Sequence, residues 1–275
     1  MKMKKFGNTG KEVSKIGIGT WQLAGNMEEN IAVLKYALDN GINFIDTAEI
    51  YGTEHIVGKA IEGFDRENLF IATKVWTSHF SYADVVKACD ESLKKLGTFY
   101  VDLYQLHWPS KTVDIKETMK AMEKLVDDGK IRSIGVSNFS KDELLEAEEA
   151  ASPYGVISNQ VEYSIIERKI EGELYDYCMQ SGIEIISYSP LSHGRIFEDR
   201  ELVKLLDGVG KKYDKTAAQV ALNWLVSKNT IPIPKAGSIV HMKEDIESAD
   251  FELSKDDLEA INTIYEKKYK RLQNK

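Results

Sequence analysis

Short runs of β-branched and apolar residues recur along the chain at 15–19, 42–45, 69–73, 100–106, 131–136, 156–160, 183–188 and 230–233. Between them lie stretches of helical period, among them 27–40, 82–96, 115–128, 141–151 and 216–227. Strands alternating with helices predict a parallel sheet with right-handed crossovers, and eight repeats predict closure into an α/β (β/α)8 TIM barrel. An open doubly wound sheet is the alternative. It expects Gly-x-Gly-x-x-Gly after its first strand, and Gly17-Ile18-Gly19-Thr20-Trp21-Gln22 stops short of that turn. Ahead of the first repeat, 3–14 reads as a β-hairpin around Gly7-Asn8-Thr9-Gly10, placed to plug the lower end of the barrel. No linker or low-complexity segment interrupts the pattern, so 1–275 reads as a single barrel domain that includes the hairpin.

Composition narrows the partners. A net charge of −8 disfavours nucleic acid and anionic membranes as partners, because either demands a broad basic face. Cys89 and Cys178 fall in helical segments without framework spacing and read as packed thiols of a reducing cytosol. The start, MKMKKFGNTG, lacks the apolar stretch of a signal peptide, and no run approaches a membrane span. A cytoplasmic protein is therefore expected. The five histidines show no metal-ligand spacing, so no metal site is expected and a metallohydrolase barrel is disfavoured.

In such barrels chemistry occupies the C-terminal ends of the strands. Those positions hold Thr20-Trp21, Asp46, Lys74-Val75-Trp76, His107-Trp108, Ser137-Asn138, Gln160, Tyr188-Ser189 and Lys235, and Tyr51 follows the second strand closely enough to reach the same space. A phenol with an ordinary pKa near 10 is a poor acid at neutral pH. A nearby ammonium favours the phenolate and lowers that pKa. Lys74 is the lysine placed to do this, and Asp46 is placed to keep it charged once buried. His107 is placed to orient a carbonyl oxygen and share its developing charge.

Taken singly, each residue has a plainer reading: Asp46 as a cap, His107 as a hydrogen-bonded core residue, the tryptophans as rim packing. Together they resemble the catalytic tetrad of the aldo-keto reductases. The phrases "IDTAEIYG", "IATKVW", "LYQLHWP", "IGVSNF", "ISYSPL" and "IPIPKAGS" are similar too, in order and across nearly the whole chain. The resemblance implies reversible NAD(P)H-dependent reduction of an aldehyde or ketone to an alcohol, with Asp46, Tyr51, Lys74 and His107 catalytic and Tyr51 the proton donor. It also implies cofactor contacts from Thr20, Ser137, Asn138, Gln160, Tyr188, Ser189 and Leu191. Trp21, Trp76, His107 and Trp108 would meet the substrate.

At the adenosine end the resemblance implies Lys235, Ser238, His241 and Asp245. This stretch departs from the family pattern, because His241 stands where many members carry arginine and Glu244-Asp245 where they carry Glu-Asn. Losing arginine removes a bidentate fork for a 2′-phosphate. NADPH is still the expected cofactor, with NADH possible. Glu49 could be a second acid near the site but reads first as a solvated loop carboxylate, His55 and His79 as surface residues, and Trp224 as core. Two other functions compete: a slow regulatory or sensor protein, like the potassium-channel β-subunits of this family, and a barrel isomerase or aldolase with Lys74 as Schiff-base nucleophile. Asp46 disfavours the latter by keeping Lys74 protonated. The substrate is expected to be a small carbonyl or alcohol in an open pocket, and the protein a monomer.

Overall fold

The computed structural model describes residues 1–23, 25–235 and 237–270. Ala236, inside the expected adenosine stretch, and the last part of the basic tail, 271–275, lie outside the described residues. Strands β1 (Met3–Lys5) and β2 (Glu12–Ser14) form the antiparallel hairpin. Eight parallel strands follow in sequential order: β3 (Ile18–Gly19), β4 (Phe44–Asp46), β5 (Phe70–Val75), β6 (Leu103–Leu106), β7 (Ile134–Ser137), β8 (Ser158–Glu162), β9 (Glu184–Tyr188) and β10 (Ile231–Pro232). The barrel closes where Gly17 N–H donates to Pro232 O and Gly19 N–H to Pro234 O, both at 3.0 Å. These glycines are required at the seam: a Cβ on Gly17 would meet Phe44 at 2.3 Å, and one on Gly19 would meet the Ile233 carbonyl at 2.8 Å. The Gly-Ile-Gly run thus serves barrel closure, which explains why it falls short of a dinucleotide turn.

The outer ring comprises α1 (Met27–Asp39), α2 (Glu54–Ile61), α3 (Tyr82–Leu96), α4 (Ile115–Asp127), α5 (Lys141–Ala150), α6 (Glu173–Ser181), α7 (Arg200–Gly210), α8 (Ala217–Ser227), α9 (Ile239–Glu247) and α10 (Lys255–Lys268). Most begin where the sequence offers an N-cap: Ser81, Asp114, Ser140, Thr216, Ser238 and Ser254 each accept a backbone N–H of the first turn. Strict alternation lapses once, because α7 and α8 both lie between β9 and β10. The predicted strands 100–106 and 131–136 are shortened at their starts, where Val101 and Ile131 make only an isolated bridge. There the Tyr100 carbonyl is taken by Arg66 Nη2 at 2.9 Å instead of by a strand. Among the described residues no helix is long and apolar enough to cross a membrane.

Pleat alternation divides the interior into two layers. Outward positions such as Ile45, Ile71, Tyr104 and Val136 join the large core beneath the helices. Inward positions Phe44, Phe70, Ala72, Leu103, Ile186, Ile231 and Ile233 form a separate core with Phe6 and Val13 of the hairpin. Phe6 packs at 4.5 Å from Phe70 and 5.8 Å from Phe44, ring centroid to ring centroid, so the hairpin does plug the lower end. Lys4 fastens it by donating to Glu184 at 2.6 Å and to the Asn229 carbonyl at 2.9 Å.

Candidate active site

The same alternation that fills the lower barrel with apolar side chains sends Asp46, Lys74, Gln105, His107 and Gln160 inward near the top. Lys74 is fully buried and donates to Asp46 Oδ1 at 2.6 Å and to the Thr47 carbonyl at 2.9 Å. The other Asp46 oxygen accepts from Gln160 Nε2 at 2.8 Å and Gln105 Nε2 at 3.3 Å. A buried ion pair is tolerated when its remaining lone pairs and protons find partners, and this one has them. Burial alone would lower the Lys74 pKa, but Asp46 and Tyr51 outweigh it and hold it above the ordinary lysine value. The lysine is therefore an ammonium at neutral pH, which argues against Schiff-base chemistry.

Tyr51 ends a 3-10 turn, Glu49–Tyr51, that follows β4, and Gly52 turns the chain onward in the left-handed region at φ 68°. Lys74 Nζ lies 5.0 Å from the centroid of the Tyr51 ring. The Tyr51 hydroxyl lies 3.3 Å from His107 Nε2. One expectation is corrected here. Burial raises the Tyr51 pKa, and although Lys74 pulls it down, the net position is above the ordinary value. Lys74 moderates the phenol's hold on its proton without inverting it. His107 responds the other way: burial, with Lys74 adding to it, drops its pKa to about 3 and makes the ring neutral. Its Nδ1 is buried and has no hydrogen-bond partner among the described residues. Trp76 and Tyr51 flank the imidazole edge-on, at 5.1 and 5.4 Å between centroids.

Beside this group β7, β8 and β9 form a polar ledge. Ser137 Oγ donates to the Gln160 carbonyl at 2.9 Å, and Asn138 Nδ2 donates to Ser137 Oγ at 3.0 Å and the His107 carbonyl at 3.2 Å. Tyr188 hydroxyl donates to Asn138 Oδ1 at 2.9 Å, so its half-buried ring is fixed beside the ledge. With Gln160 Nε2 held by Asp46, its Oε1 is left as the acceptor that could receive a ligand amide. Thr20 is fully buried, and its hydroxyl is 2.9 Å from Thr53 Oγ1, which in turn lies 3.1 Å from Thr47 Oγ1. That hydroxyl is committed to the loop carrying Tyr51.

After β9, Ser189, Ser192, His193 and Gly194 all take positive φ, which folds the loop back across the barrel mouth. Ser189 Oγ lies 3.0 Å from His193 Nε2, and the His193 ring meets Trp21 edge-on at 5.4 Å. Leu191 is half-buried between two core clusters. Trp21 and Trp108 are each 43% exposed at the rim, while Trp224 is fully buried.

The expected adenosine end is less tightly gathered. Lys235 is exposed and reaches the Gln22 carbonyl at 3.3 Å. Ser238 caps α9 through the His241 N–H at 3.3 Å. His241 is exposed, with Nδ1 3.4 Å from Glu244 Oε2. Asp245 faces inward and is only 7% exposed. Burial, with Glu244 adding to it, pushes its pKa up to about 8.

Three residues escape a reading of strand ends. Gln105 interrupts an apolar strand, and the two-residue period places it beside His107. Thr53 is hidden because a threonine ahead of a helix reads as a cap, yet it makes no side-chain cap bond. Glu49 corrects an expectation: it is not a solvated carboxylate. Its side chain is 10% exposed, accepts the Trp76 N–H, and lies 3.1 Å from His79 Nδ1.

With this geometry in view, the comparisons with known proteins converge. The Aldo/keto reductase family model matches residues 15–266. The chain belongs to that family, and so to the oxidoreductases. It is 38% identical over 259 residues to the glyoxal reductase of Bacillus subtilis, covering 94% of this chain and 91% of that relative. It is 34% identical over 258 residues to a methylglyoxal reductase of Escherichia coli, covering 91% and 90%. Among solved structures, a Klebsiella pneumoniae aldo/keto reductase in complex with NADP and acetate superposes with a TM-score of 0.88 at 33% identity, covering 94% of each chain. A thermostable aldo-keto reductase in complex with the inhibitor epalrestat reaches 0.91 at 37%, covering 96% of this chain and all of that one.

Proposed function

We propose that the protein reduces small aldehydes and ketones to alcohols with NADPH, and runs the reverse reaction. The observation that carries this reading is the contact between the Tyr51 hydroxyl and neutral His107 Nε2, above a buried Lys74–Asp46 pair. When bound, the dinucleotide supplies hydride to the carbonyl carbon. The chain's residues handle the oxygen. Tyr51 holds its proton firmly in the resting state and releases it as negative charge builds on the substrate oxygen. Lys74 then faces the nascent phenolate from the fully buried floor of the site, where a fixed charge acts strongly. Because an orphaned N–H is costlier than an orphaned lone pair, the unpartnered Nδ1 of His107 favours the tautomer with its proton on Nε2. His107 thus offers a second hydrogen bond to the same carbonyl oxygen.

The residues present fit the dinucleotide. Gln160 Oε1 could accept from the carboxamide, the Tyr188 ring would offer a stacking face, and the left-handed run after β9 would hold the pyrophosphate. Lys235 supplies a cation for a 2′-phosphate. With glyoxal and methylglyoxal reductases among the relatives, small dicarbonyls are the first substrates to try, and the tryptophan-lined rim suits them.

Following NADPH absorbance against a panel of aldehydes, ketones and alcohols tests the reading. Turnover of small aldehydes is expected, with kcat/KM higher for NADPH than for NADH. Tight NADPH binding without turnover of any carbonyl would replace it with the sensor reading, and a clear NADH preference would overturn the cofactor choice.

A further inference from the structure

Glu49 lies two residues before the proton donor, yet its carboxylate is turned back toward the loop after β5. There it accepts the backbone N–H of Trp76 and faces the His79 ring, with Nδ1 3.1 Å from both of its oxygens. These contacts complete a closed circuit. Tyr51 touches His107, His107 meets the edge of Trp76, Trp76 N–H is held by Glu49, and Glu49 returns through the backbone of one 3-10 turn to Tyr51. The turn itself is short, and the Tyr51 N–H donates back to Ala48 O at 3.1 Å. Its two ends are held by the Thr20–Thr53–Thr47 hydroxyls and by Lys74 on the Thr47 carbonyl, and Glu49 supplies a side-chain contact made from within the turn itself.

We propose that Glu49 is a positioning residue for carbonyl reduction, its carboxylate fixing the Tyr51 turn against the Trp76 segment so that proton donor, imidazole and pocket wall keep one spacing. The inference rests on the reductase reading above. Its physical content is that a positioned acid loses most of its worth when displaced by about an ångström, at a cost approaching 10²-fold in rate. Glu49 needs only an acceptor oxygen to hold the Trp76 N–H. Its negative charge answers His79 at the rim, a contact that is half-exposed and correspondingly weak.

The variants Glu49→Ala, Glu49→Gln and His79→Ala separate these parts. Glu49→Ala should lower kcat by about 10- to 10²-fold, with the Kd for NADPH, read by tryptophan fluorescence, unchanged. Glu49→Gln keeps an acceptor oxygen and should restore kcat to within about threefold of wild type, as should His79→Ala, which leaves the Trp76 bond intact. Two results would overturn the proposal: a wild-type enzyme that turns over while Glu49→Ala matches it, or Glu49→Ala and Glu49→Gln losing activity equally alongside equal drops in Tm. A wild type with no turnover on the carbonyl panel ends the reductase reading itself, and that result is visible before any variant is made.

Discussion

Lys74 directs its ammonium at Asp46 Oδ1 from 2.6 Å and, from 5.0 Å, at the ring of Tyr51, so one buried cation serves a permanent anion and a potential one. The pairing with Asp46 is complete in the resting protein. Under the proposed mechanism the pairing with Tyr51 gains strength only when the phenol gives up its proton, so the interaction would favour the transition state over the ground state.

Tyr51→Phe removes the transferable proton and leaves the ring, the ledge and the ion pair in place. The expected loss in kcat is on the order of 10² to 10⁴, with NADPH affinity unchanged by fluorescence titration. A variant within threefold of wild type would remove Tyr51 from the donor role.

The ion pair makes a separate claim about stability. Lys74→Met leaves Asp46 buried with only the two glutamine amides, and Asp46→Asn leaves Lys74 as an uncompensated buried cation. Each single change should cost about 3–5 kcal/mol by urea unfolding, the usual penalty for breaking a buried pair. The double variant Asp46→Asn/Lys74→Met carries no buried charge and should be more stable than either single variant. Strict additivity would show that the two charges are not coupled.

His107 should titrate far below its usual range. With its pKa lowered to about 3 by burial and Lys74, kcat/KM should show no histidine ionisation between pH 5 and 8, and the imidazole NMR resonances should stay constant over that window. The sign for stability follows from linkage. The folded pKa is depressed below the unfolded value near 6.5, so the contribution is complete above about pH 6.5 and is lost as pH falls toward 3. A titration midpoint near 6.5 in the folded protein would show that the ring is neither buried nor close to the ammonium.

Much of this architecture could be read from one chain because barrel strands impose two regularities. Buried runs alternate with helices, and functional side chains collect where the strands end. Asp46, Lys74 and His107 sit at such ends, so their convergence was legible. The behaviour of Tyr51 was legible in position but not in pKa, since burial and a neighbouring charge oppose each other and only geometry decides which wins. The inward turn of Glu49 depends on a side-chain torsion in a three-residue turn, for which no periodicity exists. Gln105 carried a usable signal: a polar residue in step with Lys74 and His107 on an inward-facing strand position. Asp245 carried one too, because Met242, one turn earlier on the same face of α9, is buried.

Asp245 yields the last prediction. Its folded pKa of about 8 lies far above the unfolded carboxyl value near 4, so the unfolded chain releases the proton first as pH rises. The stabilising effect of holding Asp245 protonated is complete below about pH 4 and is lost progressively up to about pH 8, at no more than about 1.4 kcal/mol per pH unit. Above that pH both states are ionised and the penalty stays constant. An asparagine in its place would offer a similar shape without the titration, so Asp245→Asn should raise Tm relative to wild type by an amount that grows from pH 4 to pH 8 and then levels off. The comparison isolates this group, because His107 titrates identically in both proteins and cancels from the difference. Parallel Tm curves for the two proteins across that range would mean that the Asp245 carboxyl finds a partner or solvent that its burial denies.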